Sequence, residues 1–281
     1  MTRHQALGRL VLYVLVGGML VFLLFPFYWA VRSSLIPNSA LFATPLEYWP
    51  SQPTLEHYQR VLRDGQFLRA ILNSALVAGA VTALSLVIGA LGAYALGRFR
   101  FRGRLPVLYL VLSMTMFPQI AVLGALYALI NWLGLYNTLW SLILTYLIFT
   151  LPFTVWVLTS FFAGLPRELE EAAYVDGATP LQTFYLVMLP LVAPGLVTTG
   201  LLAFIAAWNE FLYALSFTQT PDQRTIPVAI FTFSPQTGGG FEVPWGQMMA
   251  ATVLVTLPLV VLTLVFQRRI LAGLTAGAVK G

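Results

Sequence analysis

The chain has 281 residues, of which 59% are hydrophobic and only 9% are charged, and its mean hydropathy is +0.83. Soluble domains are about 25% charged, so this composition excludes a soluble globular protein and predicts a surface that mostly faces lipid. The absence of cysteine and the presence of only two histidines exclude disulfides, thiolate metal sites and a cysteine nucleophile, and argue against a histidine metal site. The net charge of +5 is almost wholly arginine, which in a membrane protein indicates topology and not nucleic-acid binding.

Six apolar segments are each long enough to cross a membrane, since about 20 helical residues span the ~30 Å hydrocarbon core. The sequence therefore predicts an all-α polytopic protein, a single transmembrane domain over residues 1–281, with six spans near residues 10–31, 70–97, 106–130, 139–163, 186–215 and 246–267. The first segment follows basic residues, as the apolar core of a signal peptide does. It exceeds the ~7–15 residues of such a core, so we interpret it as a retained span.

The distribution of arginine predicts which way the spans face. The loop 98–104 carries four arginines, and further ones lie before the first span and directly after the last. Because basic residues concentrate in cytoplasmic loops, the loop 98–104 is predicted to lie in the cytoplasm. With six spans, the N- and C-termini then lie on the same side as this loop. The segment 32–69 also carries four arginines and must lie outside in this topology, but its length approaches that at which loop charge stops controlling orientation.

Two outer segments have patterns of their own. In 32–69, Thr54 and the apolar residues that follow it predict a short amphipathic helix over 54–62. The segment 216–245 ends in a loop rich in glycine and aromatic residues, before the last span.

The cytoplasmic segment 164–185 differs from the rest of the chain because it holds four of the ten acidic residues. Pro166 suits the first position of a helix, and the acids that follow favour its early turns. Gly177 can end this helix at positive φ, and Thr179 with Gln182 predicts a capping box for a second helix. From the residues alone, the segment is either a docking element for a partner or an ordinary helix-turn-helix at the membrane surface.

One carboxylate, Glu210, falls late in the fifth predicted span, beside Trp208 and Asn209. An acidic residue inside a membrane costs roughly 2.5–3.5 kcal/mol on insertion scales, so it should face the protein interior or water. Two interpretations remain open. These three residues line a translocation pathway, where Glu210 bonds sugar hydroxyls or a partner subunit, or Glu210 lies near the outer interface and is simply hydrated.

The segment 171–190 resembles the EAA motif of ABC importer permeases. It begins with Glu171-Ala172-Ala173, has Gly177 after three further residues, and ends, after nine more, in Val187-Met188-Leu189-Pro190. The one departure is Val187, where the family has isoleucine. The residues 176–180 and the tail 268–281 are similar to carbohydrate permeases of the maltose/trehalose type, specifically their G-type membrane subunit. The resemblance covers nearly the whole chain and implies transport of a di- or oligosaccharide in the bacterial inner (cytoplasmic) membrane.

The resemblance also implies roles for particular residues. Those expected to couple the spans to an ATPase are Glu168, Glu171, Ala172, Ala173, Asp176, Gly177 and Ala178. In the tail, the residues expected to reach the ATPase are Thr275, Gly277 and Lys280. In the loop 216–245, those expected to meet a binding protein are Phe233, Gln236, Gly238 and Gly239. The implied partners are a second permease, two copies of an ATPase that bind ATP and Mg, a periplasmic or lipid-anchored sugar-binding protein, the sugar and membrane lipid.

The chain itself lacks the residues for catalysis. The only lysine, Lys280, precedes Gly281, so no Gly-Lys-Ser/Thr phosphate loop exists and ATP hydrolysis must belong to a partner. We therefore expect no cofactor, no metal and no enzymatic activity in this chain. The alternative functions are an ion-coupled secondary carrier, which would need buried ionisable relays of which only Glu210 qualifies, and a membrane scaffold or enzyme.

Overall fold

The computed structural model describes residues 3–233 and 243–276, and side chains over 7–233 and 243–267. All regular secondary structure within these ranges is helical. In chain order the helices are α1 (Arg3–Ser34), α2 (Glu56–Arg63), α3 (Gly65–Arg98), α4 (Arg104–Thr115), α5 (Gln119–Trp132), α6 (Leu139–Gly164), α7 (Glu168–Val175), α8 (Pro180–Leu191), α9 (Ala193–Trp208), α10 (Leu212–Phe217), α11 (Ile226–Phe231) and α12 (Trp245–Ala276).

Four of the predicted spans are continuous helices. The described apolar helices long enough to cross a membrane are Leu7–Ser34, Gly65–Arg98, Leu139–Gly164 and Trp245–Gln267. The pairs α4–α5 and α8–α9 are bent by 96° and 77°, and they bring the total to six if each pair is one span. The all-α fold with membrane-spanning helices is thus confirmed.

The third and fifth spans are interrupted, which the sequence analysis did not predict. Pro118 separates α4 from α5, and Pro194 follows the break between α8 and α9. Proline lacks the N–H that a continuing helix needs and disfavours helical geometry in the residue before it. The fifth predicted span also ends early, because α9 stops at Trp208 and a separate helix, α10, follows.

The chain forms two compact units, of which the first comprises Met1–Phe67 and Ile230–Leu257. In this unit the predicted amphipathic helix is present as α2, and the Thr54 hydroxyl accepts the Glu56 N–H. The buried face of α2 is formed by His57 and Val61, whereas the predicted apolar residue Leu55 is exposed. The His57 ring Nε2 lies 2.9 Å from the carbonyl oxygen of Ile36, which joins α2 to the end of α1.

The second unit comprises Leu68–Ala229 and Pro258–Gly281. Its core brings α3, α6 and α8 together through three aromatic rings, those of Tyr94, Phe162 and Phe184, whose centroids are 5.1–6.1 Å apart. Gly97 allows this close packing, because a Cβ atom there would lie 2.9 Å from the Cβ of Phe162. The C-terminal end of α3 is thereby fixed to α6 and to the start of the fifth span.

Candidate functional site

The acidic segment 164–185 forms the predicted helix, turn and second helix. Helix α7 begins at Glu168, whereas the sequence predicted a start at Pro166, two residues earlier. Gly177 lies just after the end of α7 and has φ of +82°. Ala178 N–H donates to the Ala173 carbonyl at 2.9 Å, and Gly177 N–H donates to the Tyr174 carbonyl at 3.1 Å. This pair of hydrogen bonds is a Schellman motif, which satisfies the last carbonyls of α7 and needs a residue tolerant of positive φ.

The second helix, α8, starts with the predicted capping box. The Thr179 hydroxyl accepts the Gln182 N–H at 3.3 Å, and the Gln182 side-chain oxygen accepts the Thr179 N–H at 2.8 Å. Pro180 occupies the first turn, where its missing N–H leaves no unpaired donor. The angle between α7 and α8 is therefore set by hydrogen bonds at both ends of the four-residue connection 176–179.

We expect Thr179→Ala to loosen the start of α8, because an N-cap threonine contributes about 1 kcal/mol. The measurement is hydrogen–deuterium exchange of the amides at 181–183, which should quicken. Thr252→Ala is the matched control, since its hydroxyl donates to a carbonyl of its own helix, that of Met248. Unchanged exchange at 181–183 would contradict the role of the capping box.

The two faces of α7 differ in exposure. Of the residues expected to couple to an ATPase, the exposed ones are Glu168, Glu171, Ala172, Asp176 and Gly177. Ala178 is half-buried, and Ala173 is buried against the protein. Two apolar side chains near the turn are also exposed, Val175 by 88% and Leu181 by 63%. This surface of α7, with acids beside exposed apolar side chains, is the part of the segment accessible to a partner.

The opposite face of α7 is held by an ion pair that the sequence analysis missed. Arg98, the last residue of α3, contacts Glu170 through two nitrogens, Nη2 at 2.7 Å and Nε at 2.8 Å from Oε2. The two side chains are only 4% and 13% exposed. Arg98 also donates to the Leu165 carbonyl at 2.7 Å and the Pro166 carbonyl at 3.2 Å, in the connection from α6 to α7. Removing one partner of such a buried pair leaves the other charge buried without a partner, which lowers the free energy of unfolding by ~3–5 kcal/mol.

Glu210 is buried, with 7% exposure, and has a structural partner for each carboxylate oxygen. Oε1 accepts the Tyr213 N–H at 2.8 Å, and Oε2 accepts the Ala214 N–H at 3.1 Å. The carboxylate thus satisfies the first amides of α10, which contradicts the alternative that it is simply hydrated. Trp208 is buried and stacks on Phe204, and Asn209 is exposed with its amide bonded to its own helix. A pathway role for these three residues stays a prediction.

The first part of the loop 216–245 is anchored by polar side chains. The Asn137 side-chain oxygen accepts the N–H groups of Gln219 and Thr220, at 2.8 and 3.0 Å. Asn73 on α3 donates to the carbonyls of Asp222 and Arg224, at 2.8 and 2.9 Å. These bonds fix the backbone of 219–224.

Several residues expected to contact partners lie at or beyond the limits of the described structure. Phe233, the last residue before residue 243 that the structure describes, packs its ring 5.6 Å from that of Phe67. Gln236, Gly238, Gly239, Gly277 and Lys280 lie outside the described residues. Thr275 falls in α12, which continues past the predicted end of the last span.

A helical chain with several candidate membrane spans and a polar helix-turn-helix between two of them is a multi-pass membrane protein. Residues 85–275 match the family model described as binding-protein-dependent transport system inner membrane component. The chain belongs to this family. The predicted family resemblance is therefore confirmed, and family membership confirms that the chain is a transport subunit and not an enzyme. It also decides against the ion-coupled carrier and the scaffold.

Curated relatives match over nearly their whole length. The chain is 43% identical to the trehalose/maltose transport system permease protein MalG of Thermococcus litoralis, covering 99% of each chain. It is 42% identical to the trehalose transport system permease protein SugB of Mycobacterium tuberculosis, covering 92% of this chain and 93% of the relative. A crystal structure of a bacterial ABC transporter that imports alginate has the same fold, with a TM-score of 0.82, 22% identity and 95% of this chain covered.

Proposed function

We propose that this chain is one of two membrane-spanning subunits of an importer for a di- or oligosaccharide of the trehalose/maltose type, in the bacterial inner membrane. The substrate class rests on the names of the relatives at 42–43% identity. The chain contributes half of the translocation pathway and takes its energy from two copies of a partner ATPase, which bind ATP and Mg. A periplasmic or lipid-anchored binding protein delivers the sugar.

The observation that carries this proposal is the exposed surface of α7. Glu168 and Glu171 face solvent on a short helix whose end is fixed by a Schellman motif and whose opposite face is pinned by Arg98. A rigid helix with an exposed apolar tip and a charged rim resembles a standard protein interface, in which apolar contacts are surrounded by polar ones. In this proposal α7 sits in a cleft of the ATPase and moves with it.

The same ion pair supports the orientation of the chain. Arg98 opens the arginine-rich loop 98–104, and its contact with Glu170 puts that loop beside α7 on one side of the membrane. The opposite end of α3 contacts residues 222–224 of the loop 216–245. Because arginine-rich loops face the cytoplasm, α7 meets a cytoplasmic ATPase and the loop 216–245 meets the binding protein outside.

The experiment is purification of the tagged full-length protein in mild detergent, with identification of the proteins that accompany it. We expect an ATPase and a second permease. Glu171→Lys should lower the recovered ATPase at least about tenfold, because reversing a charge in an interface costs several kcal/mol. Glu56→Lys is the control, since Glu56 is an exposed acid on α2 that pairs only with Arg60.

Recovery of the chain without any ATPase would contradict the proposed function. Recovery of the ATPase with both variants at wild-type levels would support an importer but contradict docking through the Glu171 surface. Sugar specificity follows from uptake assays with the purified assembly and labelled trehalose, maltose and longer glucans, of which at least one should be taken up.

A further inference from the structure

Helix α3 carries polar anchors at both of its ends. It has 34 residues, so at ~1.5 Å per residue it is about 50 Å long and exceeds the thickness of the hydrocarbon core. Asn73 and Ser74 lie near its first end and Arg98 at its last, and all three side chains are buried. A buried polar side chain needs hydrogen-bond partners, and those of α3 come from two segments far apart along the chain.

The anchor at the first end fixes the start of the loop 216–245. Besides the two bonds from Asn73, the Ser74 hydroxyl accepts the Ile226 N–H at 2.9 Å. Arg69 on the same helix forms an exposed ion pair with Asp222 at 2.8 Å. Three side chains on one helix therefore hold five consecutive residues, 222–226, in a single position.

The anchor at the last end fixes α7 through Arg98, as described above. The helix between the anchors packs closely on α6. The Ser85 and Thr150 hydroxyls lie 2.8 Å apart, and a Cβ atom at Gly89 would lie 2.7 Å from a side-chain carbon of Thr154. With every backbone bond internal to the helix, α3 is stiff along its axis. Helix α3 is therefore one continuous, closely packed element between the two anchors.

We propose that α3 is a strut between the two docking surfaces of this subunit, and that Asn73 and Arg98 are positioning residues that link them. Through this strut, the seating of a binding protein on residues 219–226 changes the position of α7 and so the activity of the ATPase. The inference rests on the proposed function, because it needs both partners. It adds to that function a physical connection within one chain, made by named hydrogen bonds.

A residue's position between two sites does not establish coupling, so the test is a double-mutant cycle. The full assembly in lipid nanodiscs is assayed for ATP hydrolysis with and without the sugar-loaded binding protein, and the readout is the ratio of the two rates. We expect Asn73→Ala and Glu170→Gln each to lower this ratio about five- to tenfold, within the usual range of allosteric coupling. The double variant should fall no further, because both changes break one connection.

Asn131→Ala is the control, since among the described residues the Asn131 amide bonds only the Tyr127 carbonyl of its own helix. It should keep the wild-type ratio. Single variants that keep the wild-type ratio, or a double variant whose loss is the product of the two single losses, would overturn the strut. If the wild-type assembly shows no stimulation by any binding protein, the proposed function fails first, so the two failures are distinguishable.

The exposed pair supplies a second test that does not disturb the core. Arg69→Asp places two acids side by side and should lower the stimulation ratio, and Arg69→Asp with Asp222→Arg should restore it. A purely structural role would alter the yield of the assembly and leave this ratio unchanged. Failure of the swap to rescue a lowered ratio would also overturn the strut.

Discussion

Gly177→Val is expected to lower sugar uptake by the assembled transporter at least about tenfold. Gly177 has φ of +82°, and a left-handed conformation costs a residue with a Cβ roughly 1–2 kcal/mol, more when it is β-branched. Apart from its two chain neighbours, no atom of the described residues lies within 4 Å of the position that its Cβ would take. The expected effect is therefore one of backbone conformation and not of packing against the described part of the chain. Residue 177 would relax to negative φ, and the two hydrogen bonds of the Schellman motif would break. The orientation of α7 relative to α8 would then change.

The measurement is uptake of labelled sugar into proteoliposomes, together with the ATPase activity of the same preparation. Loss of uptake with hydrolysis retained would indicate that α7 still docks but no longer moves the spans. Gly134→Val is the matched control, because Gly134 also has positive φ, +69°, and also has open space around it. Equal loss of uptake in both variants would mean that general destabilisation, and not the geometry of α7, is responsible.

The part of this site that the sequence predicted is the part whose causes lie within a few residues. The helix, the stop at Gly177 and the capping box of Thr179 and Gln182 depend on local turn chemistry, and the structure has all three. The number of apolar segments follows in the same way from the positions of the apolar residues along the sequence. Such features need no knowledge of how the spans pack.

The features that sequence analysis missed depend on residues far apart in the chain. Arg98 and Glu170 are 72 positions apart, and Asn73 and Asp222 are 149 apart. Arg98 and Glu170 each had a sufficient local explanation, Arg98 as a topology signal and Glu170 as an acid in a first helical turn. The bends at Pro118 and Pro194 were missed for a different reason, since membrane helices tolerate proline where neighbouring groups satisfy the freed carbonyls.

The two anchors of α3 give these long-range contacts a common meaning. The residues that hold α7 and those that hold 222–226 belong to one helix, α3, which is the structural basis of the proposed strut. Within the EAA motif, Glu171 and Ala172 lie on the exposed surface of α7, whereas Ala173 is buried. The stiffness behind that surface comes from Arg98, which lies outside the motif.

Glu210→Gln separates a structural role from a role in the pathway. The carboxylate accepts one N–H at each oxygen, from Tyr213 and from Ala214, whereas an amide keeps one acceptor and turns an NH2 group toward the other N–H. Hydrogen bonds to a charged group contribute ~1.5–3 kcal/mol, and a buried donor left without a partner adds its own cost. We therefore expect the thermal unfolding midpoint of the purified assembly to fall by about 5 °C, with less assembly recovered.

Glu56→Gln, the same substitution at an exposed ion pair with Arg60, should leave the midpoint unchanged because such pairs contribute little. If Glu210→Gln lowers uptake per assembled transporter while the midpoint stays at the wild-type value, the carboxylate acts on the sugar or on the partner permease and its cap on α10 is incidental. If the midpoint falls and uptake per assembled transporter does not, Glu210 works by holding α10 at the break after α9. If neither quantity changes, both the structural role and the pathway role of Glu210 are contradicted.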